Sequence, residues 1–105
     1  MNIIFFGNGH FSQKSLESLY LSNKHNLLLV ITNDIKKQGR GLKEKNTTIA
    51  NYAIENNIEL LKTNNIKDPT LINSLLRYKA DIFVVIEYKI LPKEIFTIPK
   101  YGSIN

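Results

Sequence analysis

Asn2-Ile3-Ile4-Phe5-Phe6-Gly7 and Leu27-Leu28-Leu29-Val30-Ile31-Thr32 are the stretches on which the fold turns. Each is a continuous apolar run of strand length, rich in β-branched and aromatic residues, and the first is stopped by a glycine. Strands apolar on both sides are typical of parallel sheets covered by helices on both faces. Working outward, Leu16, Leu19 and Tyr20 follow the first run at helical spacing, with Ser12 as the expected N-cap. Thr47 or Thr48 is expected to cap a second helix that turns Ile49, Tyr52 and Ala53 inward. Ile58 to Leu61 reads as a short strand. Asp68-Pro69 sets an N-cap directly before a proline, a strong start for a helix with Leu71, Ile72, Leu75 and Leu76 inward. Asp81 to Ile86 is a further strand, Pro92 to Phe96 a short helix, and Gly102 to Asn105 the beginning of another strand. Asn33 to Asn46 has no apolar period and reads as a long loop.

The order implies an α/β protein with a mainly parallel sheet, its strands near 2–6, 27–32, 58–61 and 81–86. Ligands of such sheets bind at the carboxyl ends of the strands. That edge gathers the loops after Phe6 and Thr32 and the segment Glu87 to Pro92.

The chain has 105 residues, 43% hydrophobic and 22% charged, enough for one globular domain. It has no cysteine, which excludes disulfides, thiol nucleophiles and Cys-ligated zinc. The longest apolar runs are far shorter than the roughly 18 residues of a membrane span. The amino-terminal stretch lacks the basic region of a secretory signal. A cytoplasmic protein is expected.

The net charge is +5, but 15 Ile, 13 Asn and 12 Lys against two Arg point equally to A- and T-rich codons. Clustering is therefore the informative property. Residues 33–46 carry five basic and two acidic side chains, hence +3 of the total. Gly39-Arg40-Gly41 places one of the two arginines, whose planar fork suits phosphate, in this segment. It reads either as a solvated surface loop or as a grip on an RNA backbone. Gly7-Asn8-Gly9-His10-Phe11-Ser12 has the strand-to-helix context of a dinucleotide loop, but Ser12 stands where a third glycine belongs. His10 and His25 have no carboxylate partners at metal spacing, so no metal site is expected.

Four stretches in order, spread over essentially the whole chain, resemble the amino-terminal part of methionyl-tRNA formyltransferases. They are Ile3-Ile4-Phe5-Phe6-Gly7 with Phe11; Gln38-Gly39-Arg40-Gly41 and the basic residue after it; Ile90-Leu91-Pro92-Lys93-Glu94; and Ile98 to Asn105. The resemblance implies a Rossmann-like sheet of the formyltransferase type, incomplete at its carboxyl end, with residues 1–105 as the amino-terminal portion of a catalytic domain. It implies transfer of a formyl group from 10-formyltetrahydrofolate to methionyl initiator tRNA in translation initiation. Asn105 falls on the family's catalytic asparagine. Tyr88, Ile90, Leu91 and Pro92 fall on its folate-binding segment. Lys36, Lys37, Arg40, Lys43 and Lys45, in the basic segment around Gly39-Arg40-Gly41, are the expected tRNA-binding residues.

The catalytic His and Asp of the family would lie past Asn105, so the chain reads as truncated and inactive alone. Ile86-Glu87-Tyr88-Lys89 replaces the usual small residue, aromatic and glycine, which puts Tyr88 where it can crowd the folate pocket. Residual affinity is therefore expected for tRNA rather than folate. A monomer is expected, with neither DNA nor a membrane as partner. The competing readings are a fragment of a sugar-amine formyltransferase and a non-catalytic RNA- or nucleotide-binding module.

Overall fold

The computed structural model describes residues 1–38 and 43–105. Its elements run β1 (Asn2–Gly7), α1 (His10–Leu21), β2 (Asn26–Thr32), β3 (Ile35–Gln38), β4 (Lys43–Lys45), α2 (Thr48–Glu55), β5 (Leu60–Lys62), α3 (Pro69–Tyr78), β6 (Ile82–Ile86), α4 (Lys93–Phe96) and β7 (Ser103–Ile104). Five strands form one sheet in the order β5-β2-β1-β6-β7, and every pairing in it is parallel. The expected α/β class with a Rossmann-like parallel sheet is what forms.

Alternation within the apolar runs explains the layering. Ile4, Phe6, Leu29, Ile31, Phe83 and Val85 face one core, closed by Leu71 and Leu75 of α3 and Ile95 of α4. Ile3, Phe5, Val30 and Val84 face the other, closed by Leu16 of α1 and Ile49 and Ala53 of α2. A period of two places successive residues on opposite faces, so a run apolar throughout requires both faces to be covered.

Three local expectations are corrected. Within the stretch expected to be one long loop, Ile35–Gln38 and Lys43–Lys45 are strands instead: β3 and β4 pair antiparallel, Ile35 opposite Lys45 and Gln38 opposite Lys43. Main-chain bonds hold such a ribbon, and they leave no apolar period in the sequence. The strand expected at 58–61 is β5, Leu60–Lys62. Ile58 is taken by the exit of α2: its N–H donates to Ala53 O at 2.9 Å and that of Asn57 to Ile54 O at 3.3 Å, with Asn57 at φ 55°. This is the Schellman arrangement, with asparagine in the left-handed position. Third, α1 begins at His10 with Gly9 as its N-cap, so Ser12 sits inside the first turn and is buried.

The remaining helix starts follow local chemistry. Thr47 accepts the Ala50 N–H at 3.0 Å, and Asp68 accepts that of Thr70 at 2.9 Å with Pro69 behind it. No helix among the described residues is long and apolar enough to cross a membrane.

Candidate functional site

All five strands of the sheet are parallel, so their carboxyl ends share one edge. Five chain segments leave it there: Asn8-Gly9 after β1, the β3–β4 ribbon after β2, residues 63–68 after β5, residues 87–92 after β6, and Asn105 after β7.

Pairing of Phe83 with Ser103 and of Val84 with Ile104 carries Asn105 to the end of β6. The turn before β7 is tied down by Tyr101 N–H to Asp81 O at 2.7 Å and by Ser103 Oγ–H to Phe96 O at 2.9 Å. Asn105 thereby joins Val85, Ile90, Leu91, Phe96 and Ser103 around a cavity of about 290 Å³. Its wall is mainly apolar, with a primary amide at the rim. No titratable side chain is among those six residues. The cavity can hold a flat apolar group and donate a hydrogen bond to it, but no side chain of its lining is a general base.

Ile90 and Leu91 also line a neighbouring hollow of about 300 Å³, together with Pro92, Asn64–Lys67 and Lys89. Leu91 is buried, whereas Ile90 is 87% exposed. Tyr88 lines neither hollow. Its ring turns inward, edge-on to Phe6 with centroids 5.5 Å apart, and packs on the Phe6 core. Its hydroxyl is buried without a partner, and burial pushes the phenol up to about 12.

That orphan hydroxyl yields an expected outcome. Tyr88→Phe removes a polar group that is desolvated without compensation, so stability at neutral pH should hold or rise by up to about 1 kcal/mol. In the parent the folded state holds the phenolic proton more tightly than the unfolded chain, whose phenol titrates near 10. Stability is then complete below about pH 10 and falls as pH rises toward about 12. Tyr78, raised to about 12 by burial and by its bond to Glu59, contributes in the same sense. Urea unfolding at pH 7 and pH 11 should show a shallower alkaline loss for the variant. A loss above about 1 kcal/mol at pH 7 would mean that the hydroxyl has a partner.

Of the basic residues, Lys36 and Lys37 lie on β3 and Lys43 and Lys45 on β4; Arg40 lies outside the described residues. The ribbon therefore brings the two lysine pairs onto adjacent strands beside the carboxyl edge. His10 is exposed at the start of α1, and His25 lies 3.4 Å from the amino terminus. No cluster of metal-ligating side chains occurs among the described residues.

Two features of this edge escape sequence reasoning. Asn8 Oδ1 accepts from Thr32 Oγ1 at 3.0 Å and from Asn33 N–H at 2.9 Å, while Thr32 and Thr47 hydroxyls share a bond of 2.6 Å. This network locks the first loop to β2 and α2 beside a hollow of about 420 Å³, where Asn33 Oδ1 and Thr48 Oγ1 are buried without partners. The second feature is the Glu87 carboxylate, which accepts the Ser12 N–H at 2.6 Å. Both join residues far apart in the chain, and no local motif announces them.

A protein-family model described as formyl transferase matches residues 1–105. A protein named methionyl-tRNA formyltransferase from Fusobacterium nucleatum subsp. nucleatum is 42% identical over 100% of this chain and 34% of its own length. Proteins of the same name from Acetivibrio thermocellus and Prochlorococcus marinus subsp. pastoris are 36% and 43% identical, again over 100% of this chain and over 34% and 32% of theirs. The chain thus spans about a third of the length of these curated relatives.

Proposed function

Because this chain belongs to the formyl transferase family, we propose that its sheet edge takes part in moving a formyl group from 10-formyltetrahydrofolate to the amino group of methionyl initiator tRNA. One observation carries the reading. The three segments that the family resemblance singles out, represented by strands β3 and β4, residues 88–92 and Asn105, all leave the same edge of one parallel sheet.

Asn105 would be a catalytic residue, its amide N–H donating to the formyl oxygen as negative charge gathers there. Val85, Ile90, Leu91 and Phe96 offer an apolar wall that fits one side of the donor's ring system. The amine must lose a proton when it attacks, and no side chain of the cavity can take it. That role therefore belongs to groups outside this cavity. Lys36, Lys37, Arg40, Lys43 and Lys45 would grip tRNA phosphates, positioning the acceptor end without reading its sequence. We place the activity in the cytoplasm, where translation starts, and the chain as a monomer there.

Mapping tRNA onto the protein tests this reading. With isotope-labelled protein at low salt, initiator methionyl-tRNA should shift amide signals of residues 35–38 and 43–45 more than those of α3. Equal shifts throughout, or none, would sink it.

A further inference from the structure

Open parallel sheets take their ligands where the strand order reverses. In the order β5-β2-β1-β6-β7 that point lies between the carboxyl ends of β1 and β6. The amino end of α1 opens there, and such an end attracts anions because its first N–H groups lack partners. Here the seat is filled from within. Glu87, the residue after β6, turns back so that Oε1 accepts the Ser12 N–H at 2.6 Å. Both carboxylate oxygens lie 2.8 Å from where a Cβ on Gly9 would stand, so a side chain there would push the carboxylate aside. Helix α1 has no acidic residue in its first turn, and its N-cap brings no side chain. Glu87 adopts φ 55°, a region that a side-chain-bearing residue enters at a cost. A short charge-assisted bond offsets that cost.

We propose that Glu87 is a specificity-determining residue: its carboxylate occupies the anion seat of α1 and excludes phosphate-bearing ligands from the β1–β6 crevice. The Gly7-Asn8-Gly9 loop is then no nucleotide loop in this chain, despite its strand-to-helix context. Phosphates of an RNA partner must be met elsewhere on the edge. The same contact pins residues 87–92 to α1, and Lys89 Nζ–H to Asn64 O at 3.3 Å holds the other flank. This inference does not depend on formyl transfer, and its test uses neither folate nor tRNA.

The probe is inorganic phosphate, titrated at constant ionic strength into the isotope-labelled 105-residue protein. Glu87→Gly removes the carboxylate while suiting the positive φ. Amide signals of Gly9 to Ser12 should stay still in the parent and shift to saturation in the variant, with affinity at least about tenfold higher. Glu87→Gln keeps the shape and gives a second, independent reading. Its Ser12 amide proton should move upfield as the acceptor loses its charge, by more than any amide outside residues 8–13. The proposal is overturned if the parent binds phosphate at these amides as tightly as a folded Glu87→Gly. A folded Glu87→Gly that leaves them unmoved overturns it too, as does an unchanged Ser12 amide in Glu87→Gln.

Discussion

Supplied with 10-formyltetrahydrofolate and methionyl initiator tRNA, the 105-residue polypeptide is expected to formylate at a rate far below that of a full-length relative. The deficit should be at least about 10²-fold to 10⁴-fold, the usual worth of general acid–base help. The cavity that gathers Asn105, Ile90 and Leu91 has no titratable side chain in its lining. His10 stands at the start of α1 beside a different hollow, and His25 lies by the amino terminus. A hydrogen-bond donor stabilises developing oxyanion charge, but it cannot receive the proton that the attacking amine gives up. A radiolabelled-formyl assay against a full-length relative measures the ratio. Rates within tenfold of each other would show that these 105 residues supply a general base to the reaction.

Phe6→Ala should cost about 3–5 kcal/mol, the range for truncating a buried aromatic. Phe6 is fully buried near the carboxyl end of the central strand, where its ring meets Phe83 of β6 at 5.2 Å and Tyr88 at 5.5 Å. Domains of this size have about 5–15 kcal/mol in total, so the loss removes a large part of it. The void opens beneath the 87–92 segment, so the Tyr88 ring should lose its fixed environment before the sheet melts. The urea midpoint and the near-ultraviolet dichroism of the tyrosines report the two effects. A cost below about 1 kcal/mol would mean that the neighbours collapse onto the gap and that the core is not packed as described.

Much of this fold is legible because its signals are local. Apolar runs of strand length with Gly7 behind the first, and Asp68 before Pro69, each state their structure within a few residues. The failures share a cause in distance. Ser12 has the chemistry of an N-cap, yet its hydroxyl works from inside the first turn, donating to Gly9 O at 2.8 Å and accepting Gly9 N–H at 3.0 Å. The helix starts two residues before Ser12, with Gly9 O accepting the Gln13 N–H at 3.0 Å, and the Ser12 N–H is met by Glu87, 75 residues away in sequence. Thr32 reads as the end of a buried strand, and nothing near it shows that its hydroxyl will meet Asn8 and Thr47. The β3–β4 ribbon is missed for a different reason, since its pairing uses main-chain groups that every residue carries.

The site divides in the same way. No spacing of acids, bases or nucleophiles marks Asn105, Ile90 and Leu91, which draw notice only through a family resemblance. The structure places those three around one cavity and sets Pro92 in the next hollow. Tyr88 goes elsewhere, because an aromatic ring beside Phe6 gains more from the core than from the cleft.

The proposed contact between the basic ribbon at this edge and tRNA is tested by tRNA affinity measured against salt. Five phosphate contacts set a log–log slope no steeper than about −3.5 to −4.5, from about 0.7–0.9 per contact. Lys36, Lys37 and Arg40 changed together to Ala should weaken binding at low salt and make the slope shallower by about 2 to 3. Equal affinity and equal slope for parent and variant would contradict the account, leaving the ribbon a solvated face and the net charge a record of codon bias.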